Sequence, residues 1–316
     1  SLADIAENRG RVLDGAMMGV GTWAWGDRLY WGYGSTYHKE DLFEVFERSL
    51  EKGITLFDTA EVYSLGGAET ILGEFVRRSD GKALVATKFM PFPWRLNRAA
   101  LFRALRHSLS RMGLSCVDLY QMHFPLPPIN IETWMEYMVE AVQAGMTRSV
   151  GVSNYDRGEM QRAYDVLMKN GIQLESNQLE YSIMNRKIEK NGLLAHCQQL
   201  GVRVIAYTPL ASGMLSGKYS PENPPKGMRS GRYTLQLLKR IQPLIHLLRR
   251  LGEEHGGKTP AQVALNWTIA KGTIPIPGAK NLMQADQNAA ALGWLLSPAE
   301  VAEIDETADR IGPMLE

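Results

Sequence analysis

The stretch Gly53-Ile54-Thr55-Leu56-Phe57-Asp58-Thr59-Ala60-Glu61-Val62-Tyr63 decides the fold. A glycine able to close a helix precedes a short apolar run, and the run ends in a carboxylate, as a strand does where it leaves a sheet. Just upstream, Glu40 to Glu51 places Leu42, Val45, Phe46 and Leu50 at helical spacing. The same helix, glycine, strand unit recurs along the chain. Strands are expected at Met17 to Gly21, Ile54 to Asp58, Leu84 to Lys88, Val117 to Met122, Ser149 to Val152, Leu174 to Gln178, Val202 to Ala206 and Thr273 to Ile276. Amphipathic segments such as Leu101 to Met112 and Glu159 to Lys169 lie between them, with Gly113, Gly145, Gly171 and Gly201 ahead of later strands. Eight such units fit a closed (β/α)8 TIM barrel better than an open doubly wound sheet.

The connection from Thr208 to about Lys258 exceeds the repeat; it holds a Pro/Gly-rich loop, Ser220 to Gly231, and a helix near Leu235 to His255. A helix from about Leu282 and a second opening at Ser297-Pro298-Ala299-Glu300 follow the last strand. The expectation is one barrel domain over residues 1–316, with extended loops after strands 4, 7 and 8, an insertion at 208–258 and a C-terminal helix.

The 316 residues carry 35 Lys and Arg against 34 Asp and Glu, a net charge of +1. That balance gives no whole-surface attraction to nucleic acid or anionic membranes. Only Cys116 and Cys197 occur, with no CxxC and no HxH or HExxH spacing among the six His, so neither a disulfide framework nor a metal site is expected. No apolar run is long enough to span a bilayer. A soluble, intracellular, cytoplasmic protein is expected, with the plastid stroma as the alternative if a transit peptide preceded Ser1.

In a barrel the chemistry collects where strands run out into loops. The second, third and fourth strands end in Asp58-Thr59-Ala60-Glu61-Val62-Tyr63, Thr87-Lys88 and Gln121-Met122-His123, which places Asp58, Tyr63, Lys88 and His123 around one mouth. The later strands end in Ser153-Asn154, Asn177-Gln178 and Tyr207-Thr208-Pro209-Leu210. With Gly19-Val20-Gly21-Thr22-Trp23, Gly66-Gly67-Ala68-Glu69-Thr70-Ile71-Leu72-Gly73, Asp118-Leu119-Tyr120-Gln121, Gly151-Val152-Ser153-Asn154-Tyr155 and Pro275-Ile276-Pro277-Gly278-Ala279, these motifs make nearly the whole chain resemble the aldo-keto reductase superfamily. Tyr207 to Tyr219 matches the branch that contains potassium-channel β subunits, bacterial general-stress reductases and plant plastid reductases.

The resemblance implies a catalytic tetrad of Asp58, Tyr63, Lys88 and His123 and NADPH as cofactor. Chemistry agrees: hydride addition to a carbonyl builds negative charge on oxygen, and a proton donor placed there assists. Tyr63 is the expected acid, with the Lys88 ammonium lowering its pKa, Asp58 holding Lys88, and His123 orienting the carbonyl or relaying the proton.

Gly19-Val20-Gly21-Thr22-Trp23-Ala24 satisfies a G-x-G-x-x-[GA] pattern, but a dinucleotide fingerprint opens a helix at once and an aromatic, Gly-rich loop follows here. Phosphates are expected instead at the loops after strands seven and eight. The resemblance assigns Thr22, Trp23 and Asp58 to the cofactor's surroundings, Ser153, Asn154 and Gln178 to its carboxamide, and Tyr207 to stacking on the nicotinamide. Thr208, Pro209, Leu210, Ser212, Gly213, Lys218 and Arg232 are the expected phosphate clamp, in a segment, Lys218 to Lys258, with a local cation excess of six. Gly278, Lys280, Gln284, Gln287 and Asn288 are expected at the adenosine and its 2′-phosphate. Many relatives carry Lys or Arg where this chain has Gly278 and Gln284, so Lys280 is the expected phosphate partner.

Trp25, Trp31, Phe92, Trp94 and Phe124 follow strand ends and suggest an apolar pocket for small aldehydes or ketones. The leading reading is an NADPH-dependent carbonyl reductase. Its alternatives are a cofactor-binding redox-sensing subunit with slow turnover, and a Schiff-base enzyme using Lys88 as nucleophile.

Overall fold

The computed structural model describes residues 11–226 and 233–312. Eight parallel strands stand in chain order: β1 (Gly19–Gly21), β2 (Leu56–Asp58), β3 (Leu84–Phe89), β4 (Leu119–Met122), β5 (Val150–Ser153), β6 (Leu174–Glu180), β7 (Arg203–Tyr207) and β8 (Ile274–Pro275). A bridge between Gly21 and Gly278, with Gly21 N donating to Pro277 O at 3.2 Å, brings the last strand back to the first. Glycine is needed at that seam for space. A Cβ on Gly19 or Gly21 would come within 2.9 Å of Ile276.

Residue parity sorts the strands into two faces. Leu56, Ala86, Leu119, Ile205, Ile274 and Ile276 fill the barrel interior, whereas Phe57, Val85, Tyr120 and Val150 pack outward beneath the helices. Thr87 likewise points outward, its hydroxyl donating to the buried Glu69 at 2.7 Å. Above the apolar interior, the next inward positions are Asp58, Lys88, Gln121 and Gln178, all buried.

The helices are α1 (Lys39–Glu51), α2 (Gly67–Arg77), α3 (Arg98–Met112), α4 (Ile131–Gln143), α5 (Arg157–Lys169), α6 (Lys187–Lys190), α7 (Leu193–Gln199), α8 (Leu235–Arg240), α9 (Gln242–Glu254), α10 (Pro260–Ala270), α11 (Leu282–Ala289) and α12 (Pro298–Ile311). Local chemistry fixes their starts: Asn97, Asn130, Asp156, Thr234, Thr259, Asn281 and Ser297 each accept a backbone N–H of the first turn. Gly113 ends α3 at φ +64°.

The sequence-based boundaries shift by a few residues for identifiable reasons. The helix expected near Leu235 to His255 is two helices, because Pro243 in the first turn of α9 has no N–H to continue α8. β8 is shorter than Thr273 to Ile276, since Pro275 and Pro277 cannot donate to a ladder. Residues 11–16, which the strand pattern gave no reason to single out, close the N-terminal end of the barrel. Leu13 is fully buried against the inner cluster, and its N donates to Glu175 at 3.0 Å. Arg11 and Arg203 tie the same turn down. The polar layer therefore faces the loops at the opposite end.

Candidate active site

Strand ends deliver the site. Lys88, at 0 % exposure, donates three hydrogen bonds: to Asp58 Oδ2 at 2.6 Å, to the Thr59 carbonyl at 2.9 Å and to Tyr63 Oη at 3.1 Å. An ammonium has three protons, so all are committed. Tyr63 Oη receives one of them, which leaves its own O–H to point elsewhere. His123 lies edge-on to the Tyr63 ring at 6.1 Å, with Phe124 stacked on its imidazole at 5.1 Å. The His123 Nδ1 atom is buried without a hydrogen-bond partner.

The electrostatics follow from burial and the pair. Burial pulls the Lys88 pKa down, but Asp58 and Tyr63 outweigh it and the ammonium is held above its ordinary value. For Tyr63, burial raises the pKa and Asp58 adds to the rise, while Lys88 opposes both; the net direction is up. The expected lowering by Lys88 is thus present as a contribution and is exceeded by desolvation. His123 is pushed down to about 3 by burial, with the Lys88 charge acting the same way, so its ring is neutral at physiological pH.

Sequence reading missed Gln121. Its amide donates to Asp58 Oδ1 at 3.0 Å, beside Gln178, which donates to the same oxygen at 2.8 Å and to Gln121 Oε1 at 3.1 Å. The signal was available: Gln121 has the parity of the inward Leu119. Glu61 was also missed. It accepts from Met90 N at 2.9 Å and from Arg95, tying the loop that carries Tyr63 to the loop after β3.

The residues expected around a cofactor fall into two groups. Thr22, fully buried, donates through its hydroxyl to Asp58 O at 2.9 Å. Asn154 donates to His123 O at 3.1 Å and accepts from Tyr207 Oη at 2.6 Å, while Ser153 Oγ donates to Gln178 O at 2.9 Å. Burial, followed by Glu180, raises the Tyr207 pKa to about 12. These residues adjoin the tetrad. Farther out, Thr208, Ala211 and Ser212 adopt φ of 48°, 49° and 56° in a turn with Pro209, Leu210 and Gly213, leading to the exposed Lys218. Within the turn the amides of Ala211, Gly213 and Leu215 are bonded to Thr208 O and Leu210 O. Lys218 supplies a cation for an anionic group and the Gln178 amide oxygen an acceptor, a set that fits a nicotinamide dinucleotide.

Around α11, Gln284 Oε1 accepts from Lys280 N, Asn288 donates to Gly278 O, and the Gln287 carbonyl accepts from Gln262. The Lys280 ammonium lies 5.3 and 5.4 Å from the Trp31 and Tyr37 ring centres. Arg232 lies outside the described residues.

Of the expected pocket aromatics, Trp25 is a correction. It is fully buried between Phe57 and Phe75, with its indole N–H aimed at Ala279 O at 3.4 Å, because the turn after Trp23 folds it under the loop. It belongs to the core. Trp31 packs edge-on against Trp23 and Tyr30, and Phe92 stacks on Trp94, which is 72 % exposed.

No helix among the described residues is long and apolar enough to cross a membrane, and no cluster of His, Cys, Asp and Glu among them could hold a metal ion. Residues 17–309 match the model of the aldo/keto reductase family. The chain is 38% identical over 304 residues to the chloroplastic pyridoxal reductase of Arabidopsis thaliana, covering 92% of this chain and 82% of that one. It is 31% identical over 290 residues to a methylglyoxal reductase of Escherichia coli, covering 92% and 89%. An aldo-keto reductase of Klebsiella pneumoniae in complex with NADPH superposes with a TM-score of 0.74 at 29% identity, covering 94% and 91%. A glycerol dehydrogenase of Gluconobacter oxydans superposes with a TM-score of 0.82 at 26% identity, covering 94% and 92%. Match and barrel agree: the chain belongs to the aldo/keto reductase family, whose members are NADP-dependent oxidoreductases acting on carbonyl groups.

Proposed function

We propose that the protein reduces an aldehyde or ketone to the alcohol with NADPH, Tyr63 serving as general acid. The observation that carries this is the Lys88 ammonium, which spends one N–H on Tyr63 Oη and so leaves the phenol's proton for an oxygen entering the mouth. When bound, NADPH supplies the hydride. Lys88 stabilises the tyrosine oxygen as its proton leaves, and Asp58 keeps Lys88 charged and aimed. His123, neutral down to about pH 3, offers a ring N–H to the carbonyl oxygen. Of the two roles expected for it, orientation fits better than proton supply.

In this reading Thr22, Trp23, Ser153, Asn154, Gln178 and Tyr207 hold the nicotinamide end. Thr208, Pro209, Leu210, Ser212, Gly213 and Lys218 hold the phosphates, Gly278, Lys280, Gln284, Gln287 and Asn288 hold the adenosine end, and the described parts of the insertion, residues 208–226 and 233–258, form the cover. Exposed apolar side chains collect on the loops after β1 to β4, among them Trp23, Tyr30, Leu65, Trp94 and Leu126. Such a rim suits a small carbonyl compound that can lie flat against aromatic rings. Pyridoxal is the first candidate, because of the 38% identical relative, and methylglyoxal the second.

The test is NADPH consumption with pyridoxal, nitrobenzaldehyde and methylglyoxal, for the parent and Tyr63→Phe, beside fluorescence titration with NADPH and NADH. Turnover by the parent, lost by about 10²-fold or more in Tyr63→Phe with NADPH affinity kept, is the expected result. Tight NADPH binding without turnover of any carbonyl would favour the redox-sensing subunit instead. Equal affinity for NADH would remove the phosphate role of Lys280. The Schiff-base reading needs a free amine at Lys88, and the geometry there favours an ammonium with no lone pair to give. Borohydride trapping of substrate on Lys88 would reverse that judgement.

A further inference from the structure

We propose that Gln121 is a positioning residue for the acid–base pair: its amide holds the Asp58 carboxylate in the orientation that aims Lys88 at the Tyr63 oxygen, and Gly151 provides the space for it. The proposal rests on the reading of Tyr63 as acid.

Asp58 divides its two oxygens. Oδ2 takes the Lys88 proton at 2.6 Å, and Oδ1 takes the amides of Gln121 and Gln178 at 3.0 and 2.8 Å. A carboxylate bonded to one cation alone can pivot about its Cα–Cβ bond and Cβ–Cγ bond. With Oδ1 pinned by two donors it cannot turn without breaking both, so Lys88 keeps a single ion-pair direction and its remaining protons go to Thr59 O and Tyr63 Oη. Gln178 sits with Ser153 and Asn154, where cofactor binding is expected. Gln121 has no such alternative. Its amide nitrogen also faces Thr87 O at 3.4 Å and its oxygen accepts from Gln178 at 3.1 Å, so its polar atoms are spent inside the protein.

Gly151 is the register partner of Gln121 on β5. Its φ is not in the left-handed region, so backbone freedom does not explain a glycine in this strand. Space does: a Cβ there would stand 3.1 Å from Gln121 Cγ and 2.6 Å from the Ser176 hydroxyl.

The test uses Gln121→Met, which keeps length and removes the N–H donors, and Gly151→Ala, whose added Cβ presses first on Ser176 and then on Gln121 and leaves the tetrad untouched. The latter is compared with Gly151→Ala in a Ser176→Ala background, which leaves Gln121 as the polar neighbour still crowded. In Gln121→Met, kcat for nitrobenzaldehyde should fall roughly tenfold while NADPH affinity stays within about twofold. The basic limb of the kcat profile should move up by about half a unit or more, because Lys88 no longer opposes the burial of Tyr63 as well. The groups facing Tyr63 are Lys88 from β3, Asp58 from β2, His123 after β4 and Tyr207 at the end of β7. Gly151→Ala should shift the limb in the same direction with a smaller loss of about threefold in kcat, and it carries the test if Gln121→Met does not fold. An unmoved limb with unchanged kcat in a folded variant overturns the proposal. So does a loss confined to NADPH affinity, which would make Gln121 a cofactor ligand. If the parent turns over no carbonyl, the reductase reading fails separately. The Gln121 proposal is then decided by the ultraviolet titration of Tyr63, taken as the difference from each protein's Tyr63→Phe counterpart: an upward shift in Gln121→Met upholds it and no shift refutes it.

Discussion

Replacing Lys88 by Met separates what the buried pair does for stability from what it does for catalysis. Lys88 and Asp58 are 0 % and 1 % exposed, and their charged atoms meet at 2.6 Å. Lys88→Met keeps the volume and strands the carboxylate among the Gln121 and Gln178 amides. Removing one partner of such a pair costs about 3–5 kcal/mol. At about 2.1 cal/mol/K of unfolding entropy per residue, 316 residues turn that into a fall in Tm of about 6 °C. The catalytic effect has a different source. An ammonium 3.1 Å from a developing phenolate contributes about 5 kcal/mol at an effective dielectric of about 20. If roughly half of that charge has formed in the transition state, kcat falls by about 10²-fold. The double variant Asp58→Asn with Lys88→Met removes both charges, so most of the Tm should return while kcat stays low. Thermal melts and NADPH-consumption assays on the three proteins read this directly. A Lys88→Met protein as stable as the parent would refute the buried pair, and recovery of kcat in the double variant would refute the use of the ammonium at Tyr63.

Three further outcomes follow from the same geometry. The unfolded chain protonates His123 near pH 6.5 and the folded one only near 3, so its neutral burial is fully tolerated above pH 6.5 and costs stability as pH falls, by about 3 kcal/mol near pH 4.5; urea midpoints of His123→Phe should fall less steeply with acid than the parent's. Trp25→Ala should destabilise by about 3–5 kcal/mol with KM for aldehydes unchanged, because the side chain fills core, whereas Trp31→Ala should raise KM for aromatic aldehydes with little change in Tm; the reverse pattern would return Trp25 to the pocket. Leu65 is 97 % exposed at φ +54°, so Leu65→Asn should stabilise by about 1 kcal/mol in thermal melts; a loss of stability there would mean that its side chain is held by packing.

How much of this was legible in the sequence depends on which signal each part leaves. The barrel was readable because each strand is a short apolar run and each helix an amphipathic one, with polar chemistry concentrated where runs end. Asp58, Lys88 and His123 stand out as polar residues closing such runs, and Tyr63 follows within the same loop. Gln121 closes no run; it stands inside one, distinguished only by sharing parity with Leu119, and parity becomes informative once the inner face is known. Trp25 was misread for a related reason. Sequence distance from a strand end does not say whether a loop residue faces the mouth or tucks beneath it, and the turn after Trp23 decides that. The sign of the Tyr63 shift was beyond sequence, because it is a difference between burial and the Lys88 charge, and only coordinates weigh the two.

The distribution of backbone strain supports the same end of the barrel from an independent direction. Among the described residues, the non-glycines with positive φ are Ser64, Leu65, Asn154, Thr208, Ala211 and Ser212. Each costs on the order of 1–2 kcal/mol relative to an ordinary conformation. They all lie in loops leaving β2, β5 and β7 at the end where the polar layer opens, and they include the segment just after Tyr63, the residue joining His123 to Tyr207, and the turn proposed for phosphates. The opposite end, closed by Leu13 and its arginine ties, carries none of them. Glycine relieves this cost at Gly66, Gly213 and Gly217 in the same loops, and asparagine lowers it at Asn154, whereas Ser64, Leu65, Thr208, Ala211 and Ser212 carry it in full. Strain gathered at one end of the barrel, in the loops that adjoin the polar layer, is what a site demanding a particular backbone direction would produce, and the Leu65→Asn and Tyr63→Phe variants separate that demand from the needs of a simple turn.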